Sequence, residues 1–414
     1  MDKIFISIAA YRDPELIPTI EDCLNRADHP ENLVFFIAWQ HHPDDKWDTL
    51  KDYESDARFK ILDIHSDESL GACWARYMIQ QMYDGEQYVL QLYSHHRFAR
   101  SWDTRLKEML NSLPNPKSIL TTYVPSYNPK KDPAERKREV WKTNFDRFTP
   151  EGIVFILPSA LELPDEYIEP IPSRFFSAHF AFAPGSFYVD VKYDPNIYFH
   201  GEEITMSVRA YTHGYDMFIP HKTVIWHEYT REGRVRHWDD HNRWEEHNKQ
   251  SILRCNKLLG VDNIISDIEF GDCALGPERS IREYEMFAGI RFGTREVQNY
   301  TLQHLDAPNP KYATIEGYNN SFINLFKHCI DIYKHDITED WDSWAIIFED
   351  ANGLELYRQD ATKEEIDKIK ETSPNEFYNV WRQFHTKKVP SKVIVWPYGN
   401  GEWGNRLEMN ISKI

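Results

Sequence analysis

Five apolar runs separated by amphipathic stretches fill the first 124 residues, and this alternation narrows the possible folds more than any other feature. The runs are "KIFISIA" (3–9), "LVFFIAW" (33–39), "FKILDIH" (59–65), "QYVLQLY" (87–93) and "SILTTYV" (118–124), and each reads as a strand. Helices are expected over 14–27, within "KWDTLKDYE", and over 71–83 and 101–110, with Asp13 as the cap of the first and Pro14 as its first residue. Strand and helix alternating at this spacing predict an α/β fold with a mostly parallel sheet flanked by helices, a nucleotide-binding half. No GxGxxG follows the first strand and no GxxxxGK[ST] occurs, which weakens dinucleotide and P-loop readings.

Past residue 128 the rhythm breaks into "NPKKDPAERKREVWK" and then shorter strands and loops. For 414 residues two domains are expected, over 1–295 and 296–414. In the second, "NNSFINLFKHCIDIYKH" reads as a helix and "SWAIIFEDANGLELYRQD" as a hairpin turning at Asn352-Gly353. "KEEIDKIKETS" then reads as a helix and "KVIVWPYG" as a strand, a small α+β or β-rich module without a catalytic constellation. With 41% hydrophobic and 14% aromatic residues the chain can bury a large core, which excludes wholesale disorder. Its net charge of −18 requires any nucleic-acid contact to be local. The five cysteines form no CxxC pair and fit free thiols in a reducing compartment better than disulfides or a zinc knuckle. "MDKIFISIAAYRDPE" lacks the form of a signal peptide, and no run is long and apolar enough to span a membrane, so a soluble cytoplasmic protein is expected.

In α/β folds ligands bind beyond the carboxyl ends of the strands, so the residues there are the ones to weigh. The first strand delivers Ser7, Tyr11, Arg12 and Asp13; Tyr11 and Arg12 suit a base or phosphate, whereas Asp13 reads as a helix cap. "ESLGACWAR" sets a glycine before a helix start carrying Trp74 and Arg76, where free backbone N–H groups suit a diphosphate. "QLYSHHRF" brings Tyr93, Ser94, His95 and His96 to a strand end, where adjacent histidines can ligate a metal, contact phosphate or face solvent. Gly201 precedes a helix whose first turn holds Glu202 and Glu203, placed either to favour the helix dipole or to address a reacting hydroxyl. "KTVIWHEY" is a strand ending in His227, which is expected to meet His95 around one divalent cation. Two basic islands, 130–142 and 230–244, interrupt the acidic chain; the second interleaves Arg231, Arg234 and Arg236 with Trp238 and Trp244. Such clusters suit phosphates and unstacked bases, or they are solvated loops with internal salt bridges.

Taken in order, "SIAAYRD", "GACWAR", the strand-end Ser-His, "HGEEITMSVRAYTHGYD" and "WHEYTR" resemble glycosyltransferase family 60, which contains polypeptide N-acetylglucosaminyltransferases acting on hydroxyproline. Versions carried by T4-like phages are similar in "SHHRF", "GEE…VRAYTHGY" and "HEYTR". More remotely, Gly201–Glu203 and His227 are similar to the Gly-Glu-Asn segment and following histidine of the polypeptide N-acetylgalactosaminyltransferases. The resemblance covers roughly residues 1 to 245. It implies a GT-A fold, a UDP-sugar donor, Mn²⁺ or Mg²⁺, and retention of anomeric configuration. It further implies that Ser7, Tyr11, Arg12, Trp74, Arg76 and Ser94 hold the donor, that Glu202 orients hydroxyls with Glu203 second, and that His95 and His227 bind the cation. His179, in the floor "FFSAHFAFAPGSF", and His96, Arg231, Arg234, Arg236 and Trp238 fall on the acceptor side. At the metal corner the family reads Asp-Ser-His, whereas this chain has Tyr93-Ser94-His95. A phenol with a pKa near 10 is a poor substitute for a hard carboxylate ligand. A weaker metal site, a disabled enzyme and relaxed metal dependence all follow from that change. The expectation is a retaining glycosyltransferase acting on a macromolecular hydroxyl, with hydroxymethylcytosine of DNA favoured over hydroxyproline or Ser/Thr of a polypeptide. A catalytically silent binding relative is the remaining alternative.

Overall fold

The computed structural model describes residues 2–47, 49–161, 166–230, 233–261, 264, 267–373, 375–386 and 388–411. The strands that build the first half are β1 (Ile4–Tyr11), β2 (Leu33–His41), β3 (Phe59–His65), β4 (Tyr88–Leu92), β5 (His96–Phe98) and β6 (Ser118–Thr121). They are followed by β7 (Trp141–Phe148), β8 (Val154–Ala160), β9 (Ile171–Pro172), β10 (Phe180–Pro184), β11 (Asp216–Ile219) and β12 (Ile225–His227). The helices around them are α1 (Leu16–Arg26), α2 (Ala72–Gln80), α3 (Trp102–Asn111), α4 (Ser186–Asp190), α5 (Glu202–Thr212) and α6 (His237–Asp240).

An eight-stranded sheet runs in the order β3-β2-β1-β4-β10-β6-β11-β9. Its first four strands are parallel, as the strand–helix rhythm requires, and β10 enters antiparallel between β4 and β6. The result is a mixed, largely parallel α/β sheet flanked by helices. Both faces of the parallel part are covered, which is why its strands read as unbroken apolar runs. On one face Ile4, Ile6, Ile8, Phe35 and Leu90 pack with Leu16 and Ile20 of α1 and Trp102 and Leu106 of α3. On the other, Phe5 stacks on Phe36 with ring centroids 3.7 Å apart.

Some boundaries differ from the sequence expectation. Helix α1 begins at Leu16, two residues later than Pro14, and its N-cap position, Glu15, makes no side-chain cap bond. Asp13 therefore does not cap the helix; one of its oxygens accepts the Glu15 N–H at 2.9 Å and the other is used elsewhere. "KWDTLKDYE" forms only a 3₁₀ turn at Lys51–Tyr53. After β4 the chain continues into the short strand β5, which pairs antiparallel with β12 and sets His96 directly opposite His227.

The chain divides into two compact units, residues 1–145, 156–289 and 300–311 in the first and 146–155, 290–299 and 312–414 in the second. In the second unit, the strands Ser343–Glu349 and Glu355–Arg358 form the expected hairpin, and Lys363–Thr372 is the expected helix. "NNSFINLFKHCIDIYKH", expected to be helical, is instead mostly the strand Phe322–Tyr333, paired antiparallel with Phe377–His385. Phe322, Leu325, Phe326, Cys329 and Ile330 fall at helical spacing, but the long antiparallel ladder decides the conformation. Among the described residues no helix is long and apolar enough to cross a membrane, and all five cysteines are free.

Candidate active site

Beyond the carboxyl ends of β1, β2 and β4 lies a cavity of about 180 Å³, wholly within the first unit. Its walls include Tyr11, Ser94, Tyr93, His95 and His227, five residues singled out in the sequence. Arg234, Arg236 and Trp238, expected on the acceptor side, line this same cavity. Gly71 opens one wall at the start of α2 with φ +108°, a conformation disfavoured for a residue with a side chain. A Cβ there would also sit 3.3 Å from the Tyr198 ring. The first N–H groups of α2 thus lie uncapped by any side chain at the edge of the cavity.

The pairing of β5 with β12 explains how two distant histidines meet. His95 and His227 have ring centroids 4.6 Å apart, with Tyr93 5.6 and 5.7 Å from them. His227 is 6% exposed and neither of its ring nitrogens has a hydrogen-bond partner. His95 has Nδ1 2.6 Å from Asp13 Oδ2, so its Nε2 is the nitrogen left for a ligand. Burial lowers the pKa of both rings, against the pull of Asp13 in the case of His95, and a neutral imidazole keeps a lone pair to donate. Burial pushes the Tyr93 phenol up to about 12, so it is no anionic ligand at neutral pH. Among the described residues no three His, Cys, Asp or Glu side chains are grouped to hold a metal ion. The His95 Nε2 and the His227 ring nitrogens nevertheless fit a divalent cation whose remaining ligands come from a bound diphosphate and water.

Several expected site residues lie behind the cavity wall. Arg76 and Glu202, 1% and 3% exposed, form a buried ion pair, with the guanidinium 5.0 Å from the Tyr93 ring centroid. Glu203 accepts the Ala178 N–H at 3.0 Å and has the Tyr123 hydroxyl 2.6 Å from its other oxygen. Burial raises its carboxyl to about 7. Neither glutamate borders the cavity, so the placement expected of them as catalytic carboxylates is corrected to a layer beneath it. The cause is the inward face of α5, whose buried residues run from Glu202 to Thr212. His96 is fully buried, with Nδ1 3.0 Å from the Tyr93 carbonyl oxygen. His179 accepts the Val124 N–H at 3.1 Å and stacks on His227 at 4.5 Å; burial lowers it to about 3. Both support the corner from behind and are not open to an acceptor. Ser7 is buried within β1, and Trp74 is half-buried on α2 outside the cavity lining. Arg12 is also outside the lining, clamped by Asp45 at 2.8 Å and Asp240 at 3.0 Å.

Several basic side chains of the two islands are held in ion pairs. Arg236 pairs with Asp239, Arg243 with Glu246, Lys131 with Glu135, and Arg136 with Asp132. Arg234 is bound by Glu228 and Asp13, and Arg231 lies outside the described residues. Arg234, Arg236, Arg243, Lys131 and Arg136 are thus engaged in salt bridges.

Sequence reasoning missed other residues of the cavity. Gln40, next to last in β2, would have been found by applying the strand-exit rule to every strand; its amide donates to the Ala10 carbonyl at 3.0 Å. Tyr198 and His237, whose hydroxyl and Nδ1 are 2.7 Å apart, come from segments with no periodic signal. Asp13 was visible, but its link to Ser94 and His95 depends on contacts more than 80 residues away in sequence.

A family model described as "Glycosyltransferase (GlcNAc)" matches residues 3–58 and 50–294, more than half of the chain. No curated protein matches the sequence. Among solved structures, GalNAc-T7 with UDP, GalNAc and Mn²⁺ aligns at 14% identity and a TM-score of 0.44, over 59% of this chain and 47% of that one. The chain thus spans about half the length of GalNAc-T7. TarS 1-349 of S. aureus in complex with UDP-GlcNAc aligns at 12% identity and a TM-score of 0.38, over 64% and 68% of the two chains. Full TarS aligns at 10% identity and a TM-score of 0.38, over 99% and 77%. The family match spans the sheet and every described wall of the cavity, and the chain belongs to the Glycosyltransferase (GlcNAc) family.

Proposed function

We propose that the cavity binds a UDP-sugar, with UDP-GlcNAc the first donor to test, and that the sugar passes with retention to a hydroxyl on a macromolecule. The observation that carries this reading is the convergence, at the strand ends, of the α2 N-terminus, Tyr11 and the His95–His227 pair on one cavity. Backbone N–H groups at a helix start receive a diphosphate, and the Tyr11 ring offers a planar surface to a base. Mn²⁺ or Mg²⁺ would be held by His95 and His227 beside Tyr93, and when bound it supplies positive charge to the departing diphosphate. The residues of the chain orient that leaving group and keep water from it. Same-face attack by the acceptor hydroxyl needs no nucleophile from the protein, and the one carboxylate lining the cavity among the described residues, Asp13, is bonded to Ser94, His95 and the Glu15 N–H. Glu202 then acts by neutralising Arg76 under Tyr93, and Glu203 by fixing Tyr123 and the backbone at Ala178.

The pairing of Lys131, Arg236 and Arg243 with acids weakens the electrostatic case for preferring DNA over a polypeptide as acceptor. Both remain acceptors to assay. A catalytically silent donor-binding relative is the second reading, and Tyr93, held as a neutral phenol, is the observation that favours it. The test is UDP release from UDP-GlcNAc with MnCl₂ and with EDTA, alone and with hydroxymethylated DNA or hydroxyproline peptides. Transfer to either acceptor supports the enzyme; donor binding without release or transfer supports the silent relative.

A further inference from the structure

Asp13 stands apart from the other carboxylates of the site. It is 3% exposed, borders the cavity, and is bonded through both oxygens. Oδ2 accepts the Ser94 hydroxyl at 2.6 Å, lies 2.6 Å from His95 Nδ1 and receives Arg234 Nη1 at 3.4 Å. Oδ1 accepts the Glu15 N–H at 2.9 Å. A carboxylate offers about four acceptor sites, and Oδ2, the oxygen on the His95 side, is crowded by three donors. Its influence on the corner passes through the groups that Oδ2 holds. An imidazole beside a carboxylate at Nδ1 carries its proton there and presents the Nε2 lone pair, and the carboxylate makes that nitrogen more basic. Among the described residues no carboxylate is bonded to His227; its ring is set by stacking on His179 and by Tyr229, 4.2 Å away between centroids.

We propose that Asp13 is the positioning residue of the cation corner: it fixes His95 with the proton on Nδ1 and Nε2 toward the cavity, and supplies from behind the negative charge that Tyr93 does not supply in front. This rests on the reading of the cavity as a nucleotide-sugar site. The chain therefore keeps an anion at this corner, moved from the ligand position to the residue behind the ligand.

The experiment uses the full chain and measures binding, independently of transfer. Mn²⁺ affinity in the presence of UDP is read by electron paramagnetic resonance for the wild type, Asp13→Asn, Ser94→Ala and the double variant Asp13→Asn/Tyr93→Asp. UDP affinity in EDTA is measured alongside, and the His95 ring tautomer is read by ¹⁵N NMR. Asp13→Asn is expected to weaken Mn²⁺ binding by about tenfold or more, and by a larger factor than it weakens UDP binding in EDTA. Ser94→Ala is expected to change Mn²⁺ binding far less, and the double variant to recover affinity through the carboxylate restored at the ligand position. Wild-type Mn²⁺ affinity in Asp13→Asn, or UDP binding by the wild type without any Mn²⁺ binding, overturns the proposal. A wild-type His95 protonated on Nε2 overturns it too, and that readout needs no folded variant. Failure of the wild type to bind UDP, with the Nδ1 tautomer present, instead refutes the donor-site reading and leaves the tautomer assignment standing.

Discussion

Asp13 and Glu202 are each 3% exposed, and each is bonded to a basic side chain, yet only Asp13 borders the cavity. Asp13 leaves the end of a strand, where the backbone opens to the ligand side; Glu202 starts a helix whose inner face is buried. The comparison teaches that a carboxylate's role in this fold follows from the element end it occupies, more than from its local motif. The Asp13 layer should govern ligand binding, whereas the Glu202–Arg76 layer should govern stability.

The largest expected effect breaks the lower layer. Glu202→Ala leaves Arg76 charged and buried, with Nε and Nη2 already lacking hydrogen-bond partners. Loss of one partner from such a pair costs about 3–5 kcal/mol, and thermal or urea unfolding should show it. A Glu202→Ala variant as stable as the wild type would mean the pair contributes nothing and would restore a direct role for Glu202.

Glu203 sharpens the same contrast through pH. Burial holds its carboxyl near 7, above the ordinary 4.5, so the folded chain keeps a proton that the unfolded chain releases. This contribution to stability is fully present below about pH 4.5 and is lost as pH rises toward 7, a change on the order of 3 kcal/mol. Glu203→Gln copies the protonated form, so its stability should vary less over that range. Parallel wild-type and variant curves between pH 5 and 7 would show that Glu203 ionises normally.

The smallest effect is expected at the surface. Arg236 and Asp239 are half exposed, so Arg236→Ala should change stability by no more than about 0.5 kcal/mol. Arg236→Ala/Arg243→Ala should also leave any DNA retention and its salt dependence unchanged, because both arginines are already paired with acids. A clear loss of salt-dependent DNA binding in that variant would return DNA to first place among acceptors.

Much of this was legible in the sequence, for physical reasons. The parallel strands could be read because both their faces are buried, and His95 and His227 because strand ends point toward ligands. The antiparallel entry of β10 and the pairing of β5 with β12 could not be read, since strand partners far apart in sequence leave no local periodic trace. The strand Phe322–Tyr333 misled for the opposite reason, its apolar residues matching a helical period by accident of spacing. Glu202 and Glu203 looked exposed to chemistry because the first turn of a helix is often open, and only the packing of α5 shows that this one is closed.

The central claim is that the His95–His227 corner and the α2 N-terminus together hold a nucleotide sugar. Calorimetric titration of UDP-GlcNAc into the wild type and His227→Ala, with MnCl₂ and in EDTA, tests it most directly. The account predicts that His227→Ala weakens binding by about tenfold or more with MnCl₂, and that the two proteins bind alike in EDTA. Equal affinity in MnCl₂, or no binding of UDP-GlcNAc by the wild type, would contradict it.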